Sequence, residues 1–282
     1  MKPYHRSSPV APATLLAIML MFSIEFAHAV TPVRFGSVAM DTPAAMHKRL
    51  TPLTTYLTES LGRPVVLTLS PDMPTAIASV AAGEVEFAYL TPVAYLTSRT
   101  KGNTRLVVKT LTDKKGSFQL MVVVRDSSDI ASVADLAGRS FAFGDKAALL
   151  QRAVVVGAGM PIEKLGRYDF LGHYDNVIRG VMHGDFDSGI VKDTTAFKWQ
   201  SKGIRILHAS PDLPPYNITA SANVDARLLE QMRQALLKLD PSRPMHRAIL
   251  DSLDKSYDGF APTDDSEYDV IRELIKPFNK AN

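Results

Sequence analysis

Cysteine is absent from the 282-residue sequence, so disulfide bridges, thiolate catalysis and cysteine-ligated metal sites are excluded. Stability must therefore come from an apolar core, for which the chain is long enough. A block of lysine and arginine is also absent, because the formal net charge is +3 and the positive residues are spread along the chain. This weak and dispersed positive charge does not indicate a nucleic-acid partner.

Local motifs of the common enzyme classes are missing as well. The sequence has no Gly-x-Ser-x-Gly elbow, no His-Glu-x-x-His helix and no glycine-rich phosphate loop after a strand. His173 and His183 flank one predicted helix and should not share a metal, and the turn carboxylates Asp185 and Asp187 are more often solvated than cation-binding. We therefore expect no enzyme, no metal site and no cofactor. A triad assembled from distant residues is the alternative.

The first 29 residues have the pattern of a secretory signal. Lys2 and Arg6 precede an apolar run over residues 10–22, and the small-residue triplet Ala27-His28-Ala29 follows. Because a membrane-spanning helix needs about 20 apolar residues, we expect a cleavable signal, with an uncleaved anchor as the alternative. The signal has no cysteine for lipid attachment. We expect the mature protein to diffuse freely in the periplasm of a Gram-negative bacterium.

The remainder of the sequence alternates between strands and helices with short links, and it contains no internal repeat. In the first helix, apolar residues recur from Met46 to Leu61, Thr51 and Pro52 predict the N-cap and first turn, and Gly62 predicts the end. Further helices are predicted from about residues 74, 92, 133, 146 and 174, and over 228–239, 249–253 and 265–275. Strands are predicted over 33–39, 65–69, 85–90, 106–110, 119–125, 140–143, 168–171, 188–191, 204–208 and 216–220.

This order of elements predicts an α/β fold, with parallel strands joined by crossover helices in two lobes. The first lobe comprises residues 30–117 and 214–282, where the final helices complete it, and the second comprises residues 118–213. The chain then crosses between the lobes near Ser117 and near Pro214. We expect a hinge at these two crossings.

Candidate binding residues follow the strands at three junctions with helices. In α/β lobes, ligands lie beyond the carboxyl ends of strands, where helix N-termini direct N–H groups outward. At the first junction, Thr91 is predicted to cap the helix with its hydroxyl aimed at the cleft, and Tyr95 to present a phenol one turn later. A plain helix start with a core tyrosine is the alternative.

The other two junctions add charged and aromatic candidates. Asp145 and Lys146 follow a strand and a glycine, which is a favourable anion site, although a capping aspartate and a solvated lysine are the alternatives. At the third junction His173 and Tyr174 are predicted to reach the cleft, with a surface histidine as the alternative. Lys192 is a second candidate charge partner for an acidic ligand.

Several short segments are fairly specific in their order and spacing, although each is weak alone. They are Phe35-Gly36-Ser37-Val38, Leu61-Gly62-Arg63-Pro64-Val65, Gly83-Glu84-Val85-Glu86-Phe87-Ala88, Thr91-Pro92-Val93-Ala94-Tyr95, Asp135-Leu136-Ala137-Gly138-Arg139, Ala142-Phe143-Gly144-Asp145 and Gly184-Asp185-Phe186-Asp187-Ser188-Gly189. In these segments the chain resembles the phosphonate/phosphate-type solute-binding proteins of ABC transporters, and the resemblance covers nearly all of the sequence after the signal.

The resemblance implies a two-lobed periplasmic binding protein of the type II-like class, each lobe a mixed sheet flanked by helices, with the ligand cleft between the lobes. It implies a small-molecule ligand and the membrane permease of an ABC transporter as partners. We expect a monomer that binds no nucleic acid. A receptor that reports to a membrane sensor kinase is an alternative that the sequence leaves open.

The sequence departs from the family pattern at the expected ligand site. Where the family carries serine and threonine hydroxyls that hold an oxyanion, residues 146–150 contain no hydroxyl, a family tyrosine falls on Met73, and a family histidine falls on Tyr174. Each lost hydrogen bond is worth about 0.5–3 kcal/mol, so losing two or three would weaken phosphonate binding by orders of magnitude. The expected ligand is therefore a different one, larger or less charged.

Overall fold

Two mixed β-sheets organise the computed structural model, which describes Met1, residues 31–38 and residues 41–279. Apart from Met1, the predicted signal lies outside the described residues. The first sheet contains β1 (Val33–Ser37), β2 (Val65–Leu69), β3 (Phe87–Leu90), β4 (Arg105–Thr112), β10 (Asn217–Ala220) and β11 (Tyr257–Ala261). The second contains β5 (Leu120–Arg125), β6 (Ser140–Phe143), β7 (Arg167–Phe170), β8 (Ser188–Lys192) and β9 (Ile204–Ala209).

Parallel pairing is confined to part of each sheet. The first sheet has the order β11-β4-β10-β3-β1-β2, in which β1 is parallel to β2 and β3, whereas β10 and β11 run antiparallel to their neighbours. The second has the order β7-β6-β8-β5-β9, in which only β6, β7 and β8 are parallel. The crossover prediction thus holds for the parallel strands, and the mixed-sheet fold class is confirmed.

Helices cover both sheets. They are α1 (Pro43–Leu61), α2 (Met73–Ala82), α3 (Pro92–Gly102), α4 (Leu149–Gly157), α5 (Tyr174–His183), α6 (Asp193–Trp199), α7 (Ala226–Leu237), α8 (Pro244–Leu253) and α9 (Asp269–Asn279). Short 3-10 turns occupy Val133–Leu136, Ile162–Lys164 and Asp265–Tyr268. Over the described stretch of chain, no helix is both long and apolar enough to cross a membrane.

The first helix starts earlier than its sequence predicts. Thr42 is the N-cap of α1 and accepts a hydrogen bond from the amide of Ala45 at 3.3 Å, whereas the hydroxyl of Thr51 donates to a carbonyl within the helix. A proline inside a helix costs about 3 kcal/mol. Burial of Met46 and Leu50, each worth about 1.5–3 kcal/mol, offsets the cost of Pro52 and extends the helix.

The helix α4 starts later than its sequence predicts, at Leu149 and not at about residue 146. Asp145 accepts a hydrogen bond from the amide of Ala147 through Oδ1 at 2.8 Å, and its carbonyl accepts from Ala148 at 3.0 Å. Asp145 therefore closes a turn ahead of the helix and does not cap the helix itself. The alternative in which Asp145 is the N-cap was wrong, because Ala148 holds that position one turn later.

Two elements were missed by the sequence analysis, α6 and β11. The short strand β11 contains Asp258 and Gly259, which interrupt the apolar alternation that marks a strand. It is held by antiparallel pairing with β4, with a register shift near Gly259. The omission matters because Tyr257, the first residue of β11, reaches the candidate site described below.

The chain passes between the sheets at two segments, after β4 and after β9. These segments contact each other, because Phe118 and Leu213 exchange both backbone hydrogen bonds, at 2.9 and 2.8 Å. The proposed lobe limits at 117/118 and 213/214 fall at this pair. The division into lobes and the hinge stay predictions.

The sequence predicts that the final helices complete the first lobe, but the last helix also contacts the second. α9 packs against α4 beside the second sheet, with Ile271 and Ile275 buried, and Leu274 so close to Gly157 that a Cβ there would be 2.8 Å from its Cδ2. The turn before α9 is tied to α3, since Asp265 accepts from the hydroxyl of Tyr95. The C-terminal segment therefore contacts elements of both sheets.

Candidate functional site

A cleft of about 370 Å³ lies where helix starts from both sheets face one another. It is lined by the first turns of α3 (91–93) and α4 (147–151), by the junction before α5 (172–174), and by residues next to the two crossover segments. Its volume falls in the range of about 300–1,000 Å³ that is typical of small-molecule sites. The cleft is therefore the candidate functional site.

The cleft brings together most of the residues predicted to bind a ligand. Those that line it are Thr91, Asp145, His173, Tyr174 and Lys192. The methionine at position 73 and the hydroxyl-free stretch at 147–150 also line it. The segments in which the sequence departs from the family pattern thus lie in the cleft wall.

Tyr95 and Lys146 do not line the cleft. Tyr95 is 1% exposed, its ring packs edge-on against Tyr268 with the centroids 4.8 Å apart, and its hydroxyl donates to Asp265. Lys146 is exposed outside the cleft lining. Both residues occupy the alternative positions that the sequence left open, a core tyrosine and a solvated lysine.

Thr91 has the capping role that the sequence predicts. Its Oγ1 accepts a hydrogen bond from the amide of Ala94 at 3.1 Å and so fixes the first turn of α3 at the cleft wall. The hydroxyl proton remains available for a ligand acceptor. Thr91 therefore combines a structural function with a polar group at the cleft.

The start of α5 offers backbone donors to the cleft. His173 is the N-cap residue, but no side chain caps this helix, and the amides of Tyr174 and Asp175 are first-turn groups without an intrahelical acceptor. Gly189 of β8 lets the helix lie close to the sheet, because a Cβ there would be 2.5 Å from Cγ1 of Val177. This packing fixes the start of α5, where Gly172, His173 and Tyr174 line the cleft.

Gln151 connects α4, the strand end and the cleft, although the sequence analysis did not name it. The side chain is 3% exposed, and its Oε1 accepts the amide of Gly144 at 2.7 Å. Burial raises the pKa of Tyr174, while a hydrogen bond from Gln151 acts in the opposite direction. Gly144 permits this approach, since a Cβ there would be 3.0 Å from Nε2 of Gln151.

Tyrosines from the first sheet form the opposite wall. Tyr216 and Tyr257 line the cleft, and Tyr89 lies behind them, stacked on Tyr216 with a centroid distance of 5.0 Å and bonded to the hydroxyl of Tyr257 at 2.6 Å. Burial raises the pKa of Tyr216 to about 12 and also raises that of Tyr257. These phenols are therefore neutral hydrogen-bonding groups at physiological pH.

The charges at the cleft are few and of both signs. The lining includes the ammonium of Lys192, the carboxylates of Asp145 and Asp254, and the imidazole of His173. Within the described residues none of the four forms an ion pair, and Nζ of Lys192 lies 5.6 Å from the ring centroid of Phe118. The cleft thus has no excess of positive charge.

Asp187, one of the two carboxylates considered for cation binding, has a structural role. Asp187 accepts hydrogen bonds from the amide and hydroxyl of Ser140 at 2.9 and 2.7 Å. Although burial acts to raise the pKa of Asp187, these bonds and nearby arginines lower it on balance. In the described ranges no three His, Asp or Glu side chains are grouped to hold a metal ion.

Comparison with known proteins shows which proteins share this architecture. A family profile described as ABC transporter, phosphonate, periplasmic substrate-binding protein matches residues 35–268. The fold is similar to that of XAC2383 of Xanthomonas citri, which was solved bound to chloride ion and bound to ATP, with a TM-score of 0.73 in both cases. The sequence identities are 20% and 19%, and the alignments cover 88% of this chain and 98% and 97% of the two XAC2383 chains. It is also similar to PhnD1 of Prochlorococcus marinus in complex with methylphosphonate, with a TM-score of 0.70, 17% identity, and 88% and 98% of the two chains covered.

Proposed function

The chain belongs to the periplasmic substrate-binding proteins of phosphonate ABC transporters and is a solute-binding protein; on this premise we propose that its cleft binds one small solute other than phosphate or a simple phosphonate. The residues proposed to contact the solute are Thr91, Asp145, His173, Tyr174 and Lys192, joined by Gln151, Tyr216 and Tyr257. The observation that carries the proposal is the chemistry of the cleft wall. Its α4 side has no hydroxyl, and its charged groups include two carboxylates.

A dianion is poorly matched to this wall. Phosphate and phosphonate are held elsewhere by charge-assisted hydrogen bonds, which are roughly twice as strong as neutral ones. Here the first turn of α4 offers Ala147, Ala148, Leu149 and Leu150, and the carboxylates of the cleft oppose a doubly negative ligand. The apolar and aromatic lining instead suits a solute with an apolar part and little net charge.

Binding is proposed to close the two sheet-and-helix halves about the paired segments at Phe118 and Leu213. Only the closed form would present the surface that the permease recognises. The proposed mature protein is a monomer that begins at Val30 after signal cleavage. N-terminal sequencing of the periplasmic fraction and light scattering of the purified protein test these two statements.

The ligand proposal is tested by calorimetry on mature protein that has been stripped of bound solute by unfolding and refolding. We expect no binding tighter than millimolar to phosphate, phosphite or methylphosphonate. Micromolar binding to any of the three contradicts the altered ligand. Native mass spectrometry of freshly purified protein is expected to show a trapped solute, and absence of any bound or stabilising solute would contradict the receptor function.

A further inference from the structure

Tyr89 is a buried side chain that contacts both tyrosines of the cleft wall. It is 3% exposed and lies outside the cleft lining. Its ring is stacked on that of Tyr216, with the planes 19° apart and the centroids separated by 5.0 Å. Its hydroxyl shares a hydrogen bond of 2.6 Å with the hydroxyl of Tyr257. Two separate parts of one side chain therefore support two residues that are proposed to contact the solute.

The backbone of Tyr89 is held on both sides. Tyr89 belongs to β3, in the interior of the first sheet, where it pairs with Ser37 of β1 and with Ile218 of β10. Its carbonyl accepts a hydrogen bond from the amide of Val38 at 3.2 Å. Strands in the core of a fold open only at free energies close to that of global unfolding. The side chain of Tyr89 therefore extends from a part of the backbone that is firmly fixed.

The two tyrosines of the wall come from less regular segments. Tyr216 is the last residue before β10 and follows two consecutive prolines. Tyr257 begins β11, a strand at the edge of the sheet whose pairing with β4 shifts register between Tyr257 and Gly259. A proline has no N–H to donate, and a register shift interrupts the ladder of hydrogen bonds. The backbone thus restrains these two residues less than it restrains Tyr89.

We propose that Tyr89 is a positioning residue of the cleft, whose ring orients the ring of Tyr216 and whose hydroxyl places the hydroxyl of Tyr257 for contact with the solute. This inference rests on the proposed function, in which Tyr216 and Tyr257 contact the solute. It adds a residue that sets the affinity without touching the solute. Side chains that are ordered before binding lose less conformational freedom when the solute arrives, so loss of either contact weakens binding.

The first experiment observes the tyrosine wall directly and needs no solute. The stripped mature protein carries isotope-labelled tyrosine rings, and the NMR signals of Tyr216 and Tyr257 are assigned from their phenylalanine variants. Tyr89→Phe retains the stacked ring and removes the hydroxyl, so it should shift the signal of Tyr257 and leave that of Tyr216 nearly in place. Tyr89→Leu removes both contacts and should shift both signals. Unchanged signals in Tyr89→Phe overturn the inference, including where Tyr89→Leu fails to fold.

Tyr95→Phe is the matched control. Tyr95 is also a buried tyrosine, and its hydroxyl donates to Asp265 outside the cleft lining. The substitution therefore removes a phenol hydrogen bond of the same kind at a distance from the wall. It should leave the signals of Tyr216 and Tyr257 in place. If Tyr95→Phe shifts them as much as Tyr89→Phe does, the effect is a general one on the fold and the inference is overturned.

The second experiment measures affinity by calorimetry. The probe is the solute that co-purifies with the wild type, released by unfolding, identified by its mass and added back to stripped protein. Tyr89→Phe should bind this probe about threefold to tenfold more weakly, and Tyr95→Phe should bind it as the wild type does. Tyr89→Phe combined with Tyr257→Phe should bind no more weakly than the weaker single variant, because both substitutions break the same contact. Losses that multiply in the double variant show that Tyr89 does not act through Tyr257 and overturn the inference.

The two experiments separate this inference from the function on which it rests. If the wild type carries no solute and none stabilises it, the solute-binding proposal for the cleft fails, while the tyrosine signals still decide whether Tyr89 orders the wall. If the probe binds equally well to the wild type and to Tyr89→Phe, the receptor function stands and the positioning function of Tyr89 is overturned.

Discussion

Replacement of Gln151 by methionine tests the contact that joins α4 to the end of β6. The side chains have similar length, but methionine offers no strong acceptor to the amide of Gly144, which is buried and bonded to Oε1 at 2.7 Å. An unsatisfied buried donor costs about 1–3 kcal/mol in the free energy of unfolding. At about 2–4 °C per kcal/mol for a domain of this size, the melting temperature should fall by about 2–12 °C.

Urea unfolding followed by circular dichroism measures this difference, with Gln234→Met as the matched control. The side chain of Gln234 is exposed on α7, where it donates to Glu230 four residues earlier, so the same exchange there should stay within about 0.5 kcal/mol of the wild type. Ligand affinity should fall with Gln151→Met because the phenol of Tyr174 loses its partner. If Gln151→Met unfolds at the same urea concentration as the control, the amide of Gly144 does not depend on this side chain and the reasoning is refuted.

The remaining predictions concern the elements around the cleft. Thr91→Ala should lower the free energy of unfolding by about 0.5–2 kcal/mol through loss of the α3 cap, whereas Thr91→Ser should not, as urea titration will show. Gly189→Ala should cost about 1–3 kcal/mol, since its Cβ would meet Val177, and should also weaken ligand binding measured by calorimetry. The pKa of Asp187 is lowered in the folded protein, so the ionised carboxylate stabilises the fold. Its contribution to the free energy of unfolding is complete above the unfolded pKa of about 3.9 and is lost as the pH falls through the folded pKa. The free energy of unfolding measured between about pH 5 and pH 3 should thus fall less steeply in Asp187→Asn than in the wild type, and equal slopes would contradict the linkage.

Two strands were predictable from their local sequence alone. β2 and β6 begin and end at the predicted residues, because short apolar runs bounded by turn residues leave little choice of register. β11 was not predictable in this way, since Asp258 and Gly259 contradict the pattern and pairing with β4 outweighs the local preference. Tertiary contacts decided this element.

The candidate site was predictable only on the side built from strand-to-helix junctions. Thr91, His173 and Tyr174 line the cleft because the position after a strand is set by the local chain. Tyr216 and Tyr257 come from a crossover segment and from the strand that was missed, so only the topology brings them to the cleft. The prediction that Tyr95 lines the cleft was wrong because a C-terminal segment, distant in sequence, covers this side chain.

At the strand-to-helix junctions, the residues that the fold restricts are different from those that are free to vary with the ligand. Gly172 has a φ of 79°, and Gly144 lies against Gln151, so these positions are restricted by backbone conformation and packing whatever the solute. The neighbouring His173 and Asp145 are exposed, and no packing restricts their chemistry. One fold therefore accommodates methylphosphonate in one solved relative and ATP in another. Membership in the family establishes what the chain does, and we propose that the residues lining its own cleft decide which solute it selects.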